Sequence, residues 1–570
     1  MSRLSGSSCE STADANKSAY SSCHNQDHRS AANDSPNQLY DTTDEIQLDS
    51  QEYVARSVAP LAEEAYHEEL ERVSRQLTSQ SREKDASLDS VSEESEEPQD
   101  HPVDGLFAIW QAVLASLLVF STWGANASFG VFLNYYMSNS SFPGATHYDF
   151  ALIGGIVVFL VQAPAPLICF LVAMFGQTPV LLLGLVLQTL GYILASFSTK
   201  LWQIYLCQGV LVGASFGLIF FPASLVIPTW FQKRKSTGMG ICVCGSGVGG
   251  VVFSVALNKL ISQTGDQRWP LRMVGLVTFA TSLFSICFLR PRNKKTIDIN
   301  TSRITWERTR AILKIVFDFE LFKSLHYLVV GVWFTVSFLG YVICLYSYSP
   351  YASSIGLTHD QANNLLAIYN TGQALGRPLV GHIADHYGRT NTAGFFSIYL
   401  AIMVLAFWRH AVSYGALIVL AILLGGPSAV GYVMSQSLVA DILDIQERPH
   451  LMPAAWSGLN IMVSFISPPS EVIAIALKEE KASNPFDHAQ VFTGCMFLLS
   501  FLLLLFNREF LVRERLKDRK SQAQAAYLRE GDPSDEDKKE LLMTQIDRYD
   551  RFLENSILNY FIRMFYPMIV

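Results

Sequence analysis

Gly376-Arg377-Pro378-Leu379-Val380-Gly381-His382-Ile383-Ala384-Asp385-His386-Tyr387-Gly388-Arg389 joins two apolar runs, at about 361–384 and 391–408. It sets a guanidinium inside the first run and closes it with Asp385, Gly388 and Arg389. Gly388 permits a tight turn, and Asp385 at a helix end can accept hydrogen bonds and latch a neighbouring helix. A charge inside an apolar run is costly unless it faces a cavity or a partner. The fold therefore depends on what the flanking runs are.

The 570 residues are 50% hydrophobic and 16% charged, with mean hydropathy +0.24. A soluble chain carries about 25% charged residues, so a membrane protein is the class to test. A span needs ~20 mainly apolar residues. Such runs occur at about 107–135, 150–173, 179–198, 202–229, 238–261, 270–289, 326–350, 361–384, 391–408, 412–440, 452–477 and 490–511. Six precede and six follow a polar stretch at 290–324. Two six-helix halves that rock about a central site are the expectation. Nine Cys without a CxxC pair read as small apolar packing residues rather than metal or redox ligands. No metal or other cofactor is expected.

Charge is unevenly placed. Residues 1–103 hold 8 Lys/Arg against 22 Asp/Glu, and the remainder 34 against 28. The first 103 residues read as a disordered, acidic, Ser-rich tail. A stretch at 61–78 is able to form a transient helix. Ser90, Ser92 and Ser95 among four glutamates suit kinases, and the tails suit ubiquitin machinery. Residues 1–50 lack an apolar signal core, so the first apolar run is expected to direct insertion. The positive-inside bias places both termini in the cytoplasm. Lys233 to Lys235, the nine basic residues from Arg290 to Lys323, Arg389 and Arg448 then lie inside, and seven basic residues lie outside. The Asn139 sequon falls in the first outer loop. The expected organisation is a tail at 1–103, a half at 104–290, a cytoplasmic loop at 291–324, a half at 325–512 and a disordered cytoplasmic tail at 513–570. That tail ends in the apolar NSILNYFIRMFYPMIV. No concentrated basic patch suggests nucleic acid.

Residues 376–389 resemble the G-x3-D-R-x-G-R loop of the major facilitator superfamily, which locks one access state. The matching N-half stretch is Ala173-Met174-Phe175-Gly176-Gln177-Thr178-Pro179; it keeps the glycine and lacks the Asp and Arg. A one-sided latch is therefore expected. Thr122-Trp123-Gly124-Ala125-Asn126-Ala127-Ser128-Phe129-Gly130-Val131-Phe132-Leu133 resembles helix 1 of the monocarboxylate-porter family. Trp230-Phe231-Gln232-Lys233-Arg234-Lys235-Ser236-Thr237-Gly238 resembles its entry to helix 5. Phe317 to Lys323, Ser470-Glu471 and Ile475-Ala476-Leu477 look like its fungal branch, which includes yeast monocarboxylate-transporter homologues and a riboflavin transporter. The resemblance covers about 104–512. It implies the all-α major facilitator fold, with twelve transmembrane helices. The helix-1 Lys of the animal lactate carriers is matched here by Ala127, and their Asp four residues before the helix-8 Arg by Gln373. Animal-type lactate–proton symport is not implied.

Arg377 can present a planar fork to a substrate carboxylate. Alternatively it is a packing charge bonded to carbonyls or a carboxylate. Glu471, beside Pro468 and Pro469, can carry a coupled proton or cap a broken helix. Asn126, Gln162, Gln208, Asn370, Gln373 and Gln436 can bond a substrate or join helices. Tyr341, Tyr346 and Tyr348 can stack on a ring. Asp385, Gly388 and Arg389 are the latch candidates. Gly245-Ser246-Gly247-Val248-Gly249-Gly250 formally matches a dinucleotide loop, but it lies in an apolar run, where small residues allow close helix approach.

No ATP site and no reactive constellation is present. The expected function is a secondary active or facilitative transporter, such as a symporter, for a small organic solute: a monocarboxylate or related anion, with riboflavin or another solute as the alternative. A non-transporting nutrient sensor is the other class. The plasma membrane is the expected compartment, with the vacuolar membrane as the alternative.

Overall fold

The computed structural model describes residues 101–138, 142, 144–292, 306–479, 482, 484–529, 536–566 and 568. Among them the regular structure is helical, with no strand. In lipid a helix satisfies its own backbone, so apolar runs of this length become helices. The N-terminal half consists of α1 (Leu106–Leu133), α2 (His147–Gln162), α3 (Ala165–Phe175), α4 (Gln177–Ala195), α5 (Leu201–Trp230), α6 (Lys235–Thr264) and α7 (Arg268–Phe288). A short helix, α8 (Trp306–Val316), follows within the polar middle stretch. The C-terminal half consists of α9 (Leu325–Ser354), α10 (His359–Tyr387), α11 (Arg389–His410), α12 (Tyr414–Ile445), α13 (Met452–Ser464), α14 (Ser467–Ala476) and α15 (Asp487–Arg529).

Every one of the twelve apolar runs is helical. Among the described residues nine helices are long and apolar enough to span alone. The α2–α3 pair, bent by 43° where Pro164 interrupts it, makes a tenth span. α10 is less apolar, because it carries Asn370, Gln373, Arg377 and Asp385. α13 and α14 are separated at Phe465–Ile466, just before Pro468 and Pro469. The two less apolar segments thus hold the polar or proline-rich residues that a purely lipid-facing helix would lack.

α6 and α10 form the longest seam between the halves. A Cβ on Gly247 would lie 2.5 Å from the Ala374 amide nitrogen, and one on Gly240 2.5 Å from the Arg377 carbonyl oxygen. Gly381 meets Ser236 backbone in the same way, and Gly245 packs on Ser116 of α1. The Gly245–Gly250 motif therefore lies at helix–helix contacts on two sides.

The C-terminal tail departs from expectation. In place of the expected disorder, the 43-residue α15 continues into it as far as Arg529 and is followed by α16 (Glu536–Leu553) and α17 (Ile557–Phe565). Val512, Leu516 and Met568 form a small apolar core with Tyr549, Phe552, Leu553 and Tyr566. Glu509 and Arg563 form a buried ion pair at 2.6 Å. The apolar residues among the charges of 513–570 thus have partners on α15, which supplies the burial that a disordered segment lacks. The acidic N-terminal tail, its serines, the 61–78 stretch, Asn139 and residues 293–305 lie outside the described residues.

Candidate functional site

A central cavity of about 50 Å³ lies between the halves. That is room for a few waters, so an organic solute enters only after side chains or helices move. Trp123 and Asn126 of α1, Phe220 of α5 and Ser246 of α6 form one wall; Phe338 and Tyr341 of α9, Gln373 and Arg377 of α10 and Tyr432 of α12 form the other.

Arg377 is 3% exposed. Its Nη1 donates to the Val243 carbonyl at 2.6 Å and to Ser246 Oγ, both across the seam on α6. Its Nη2 donates to Gln373 Oε1 and reaches Tyr341 Oη at 3.4 Å, while the buried Nε has no hydrogen-bond partner. Among the described residues no carboxylate lies within ion-pair distance of it. Tyr341 Oη also donates to Gln373 Oε1 at 3.2 Å, and Gln373 Nε2 donates to Asn370 Oδ1 at 3.1 Å. Two turns of α10 thus carry a polar ladder, Asn370–Gln373–Arg377, set by steps of three and then four residues.

The six amides separate by place. Asn126 and Gln373 line the cavity. Gln162 donates to Tyr432 Oη at 3.3 Å, and Gln436 donates to the Ser224 carbonyl at 3.1 Å, so both join the halves. Gln208 bonds Tyr136 within the N-terminal half. Asn370 lies behind Gln373, against Gly250. Tyr341 and Tyr346 line the cavity; Tyr348 is buried and donates to the Leu417 carbonyl at 2.5 Å. Glu471 is on α14, and its side chain lies outside the described residues.

At the face that carries Lys233 to Lys235, Asp385 accepts from the Ser236 amide at 3.1 Å and from the Thr237 amide and hydroxyl, each at 2.7 Å. These are unsatisfied donors of the first turn of α6, where the helix dipole also favours a carboxylate. Arg389 pairs with Asp441 and lies 3.5 Å from Asp385. Lys235 pairs with Asp444 at 2.7 Å, and Ser236 Oγ donates to Ser437 Oγ at 3.0 Å. All but the Arg389 pairs cross between the halves. Gly388 turns the chain at φ 94°.

Several residues escaped the sequence reading. Ser246 stands out in the sequence only within a stripe of small residues, and Val243 only within an apolar run. Phe220, Phe338 and Tyr432 carry no local pattern that separates a cavity aromatic from a core aromatic. Asp104 carried the clearest signal, as an acid just before the first apolar run. At φ 58° its carboxylate accepts from the amides of Gln232, Lys233 and Arg234 at 3.1–3.3 Å. It ties the start of α1 to the loop before α6.

Two helical halves around a shared, largely apolar cavity with a few convergent polar groups define a polytopic membrane carrier. The chain belongs to the Major Facilitator Superfamily, whose model matches residues 114–352 and 328–565. It is 38% identical over 475 residues to the uncharacterized transporter ESBP6 of Saccharomyces cerevisiae, spanning 82% of this chain and 69% of that one. It is 30% identical to the probable transporter MCH2 of the same yeast, over 68% of this chain and 79% of that one. Among solved structures, the proton:xylose symporter XylE bound to 6-bromo-6-deoxy-D-glucose matches with TM-score 0.52 and 15% identity, over 70% of this chain and 95% of that one. The human organic anion transporter MFSD10 (TETRAN) matches with TM-score 0.50 and 14% identity, over 72% and 100%. The protein is a membrane transporter of the major facilitator type, and not an enzyme.

Proposed function

We propose that the chain carries a small organic monoanion, a monocarboxylate or a close relative with an apolar body, by alternating access. The observation that carries this reading is Arg377: a buried cation at a cavity wall, with neutral partners only among the described residues. An uncompensated charge in a low-dielectric interior is costly. A substrate carboxylate supplies the missing charge, and the guanidinium fork suits it. Trp123, Phe220, Phe338, Tyr341 and Tyr432 would hold the apolar body, and Asn126 a second polar group. Two of the present partners of Arg377 belong to the opposite half. A substrate that takes over this guanidinium therefore weakens a contact between halves, which links binding to rocking.

In this reading the Lys/Arg-rich face is cytoplasmic. Asp385, Gly388 and Arg389 hold it closed. Glu471 is the proposed proton carrier of a symport cycle. The plasma membrane is the proposed site of action, and the vacuolar membrane the alternative. The aromatic walls favour a second reading, a planar and uncharged solute such as riboflavin.

Counterflow in proteoliposomes separates the two. For an anionic substrate, Arg377→Lys retains weak transport and Arg377→Ala almost none, since the charge survives in Lys but the fork does not. Gln373→Asp weakens anion binding by giving Arg377 a partner of its own. Normal transport of lactate, pyruvate or an aromatic acid by Arg377→Ala removes the anion reading. Riboflavin counterflow that survives Arg377→Ala supports the second.

A further inference from the structure

α17 is a nine-residue helix with an unusual division of faces. Ile557, Leu558, Phe561, Ile562 and Phe565 are between 38% and 81% exposed. At 100° per residue they fall within an arc of ~140°. The opposite side is held to the protein. Tyr560 packs on Phe506 of α15, and Arg563 bonds Glu509 and the carbonyls of Phe552 and Glu554. The apolar face is therefore held outward by a polar anchor.

The anchor continues at the end of the chain. Arg508 of α15 donates to the Tyr566 carbonyl at 2.6 Å, to the Met564 carbonyl and to Asn391 Oδ1 at 2.7 Å. Asn391 donates to the Met568 carbonyl at 2.8 Å. α17 is thus pinned beside the first turn of α11, next to the turn at Gly388. Between α11, α15 and α17 runs a groove of about 350 Å³, lined by Gly394, Phe395, Ile398, Phe501, Leu505 and Phe565, with Arg508 at one end. From Thr390 to Ile398 the groove rises about 12 Å at 1.5 Å per residue, which is most of one leaflet of hydrocarbon. Phe395 and Leu502, exposed on the span surfaces beside it, continue the apolar face of α17 into the lipid-facing belt of the spans.

We infer that α17 is a membrane-interface helix whose apolar face lies in the leaflet on the basic side, and that the groove behind it seats the acyl chain of an acidic phospholipid from that leaflet. Three observations select lipid as the occupant. The face is continuous with the lipid-facing belt, the groove runs along the spans α11 and α15, and its length stays within one leaflet. The acidic headgroup follows from Arg508, whose partners among the described residues are neutral carbonyl and amide oxygens. Among the described residues its charge has no carboxylate partner at the groove end, where a phosphate of the interface would meet it.

The test uses the full-length protein in bilayer nanodiscs of phosphatidylcholine with a minor share of phosphatidylserine. The photo-crosslinking residue p-benzoylphenylalanine replaces Phe561, Phe565 or, as a control, the fully buried Phe497. Each change keeps the phenyl ring and adds a benzoyl group, so each variant is first shown to retain counterflow. Illumination followed by mass spectrometry is expected to give phospholipid adducts at 561 and 565 and none at 497, with phosphatidylserine at 565 enriched several-fold over its share of the bilayer. Adducts to protein in place of lipid at 561 and 565, or no adduct there, overturn the interface assignment. Phosphatidylserine at 565 only in proportion to its abundance overturns the headgroup assignment.

Discussion

The two halves turn at the same backbone and close on different chemistry. Gly176 between α3 and α4 has φ 88°, and Gly388 between α10 and α11 has φ 94°. Each is at once the end of one helix and the start of the next. Three residues before the turn stands Ala173 in one half and Asp385 in the other; one residue after it stands Gln177 in one and Arg389 in the other. The second loop grips α6 across the gap between halves with three hydrogen bonds. Among the described residues the first loop offers a single long side-chain bond, within its own half, from Gln177 to the Pro222 carbonyl at 3.5 Å. Turn geometry belongs to the repeated fold, whereas the grip belongs to particular side chains. An asymmetric pair of loops makes the basic-face-closed state depend on one of them.

The largest expected effect follows directly. Asp385→Ala removes a buried acceptor of three hydrogen bonds and leaves the donors of the first turn of α6 unpaired. Charge-assisted bonds of this kind are worth ~1.5–3 kcal/mol each. A net loss of about 3 kcal/mol shifts the closed–open equilibrium on the order of 100-fold. Counterflow at matched reconstitution should fall at least tenfold, and Gln177→Ala, the symmetric control, should leave it within about twofold. Equal losses in the two variants would end the claim that the grip is one-sided.

Arg389→Gln should cost less. It leaves Asp441 without its nearest cation, but Asp441 is a quarter exposed and Lys235 remains close by on Asp444. About 1–2 kcal/mol is expected, roughly tenfold in the same equilibrium. Adding Asp441→Asn should recover much of the loss, because the penalty comes from the unpaired carboxylate. A double variant as slow as the single one would show that Arg389 acts through Asp385 and not Asp441.

The contrast between the loops also shows what the sequence exposes. The C-half turn is legible because its acid, glycine and arginine lie within five residues. The twelve helices are legible because lipid enforces long apolar runs. Ser246 and Tyr432 were not, because their place at the cavity depends on α6 and α12 meeting partners more than a hundred residues away. Arg377 was singled out for its charge, but its bonds to Val243 and Ser246 follow from the close α6–α10 approach that glycines allow. The C-terminal helices were misread for a related reason. A charged composition suggested disorder, while the pairing of Arg508 with chain-end carbonyls and of Glu509 with Arg563 joins residues over fifty apart.

The smallest expected effect comes from building the missing grip. Ala173→Asp with Gln177→Arg places the two absent charges at the N-half turn. The surface they would face is the start of α13, which α3 already meets through Cys169 and the Pro453 carbonyl, 3.7 Å apart. In the C-half, Asp385 bonds the second and third residues of α6, Ser236 and Thr237. The second residue of α13 is Pro453, which has no amide hydrogen to give. A carboxylate at 173 would therefore find one backbone donor, at Ala454, and no counterpart to the Thr237 hydroxyl. The graft should alter counterflow by less than about threefold, within the ~1 kcal/mol of a single cap. Adding Pro453→Ser restores both a backbone and a hydroxyl donor, and should strengthen closure of the opposite repeat enough to slow turnover further. If the graft alone slows transport as much as Asp385→Ala, the proline is not what keeps the first loop from gripping, and the asymmetry must lie in how far apart the two surfaces stand.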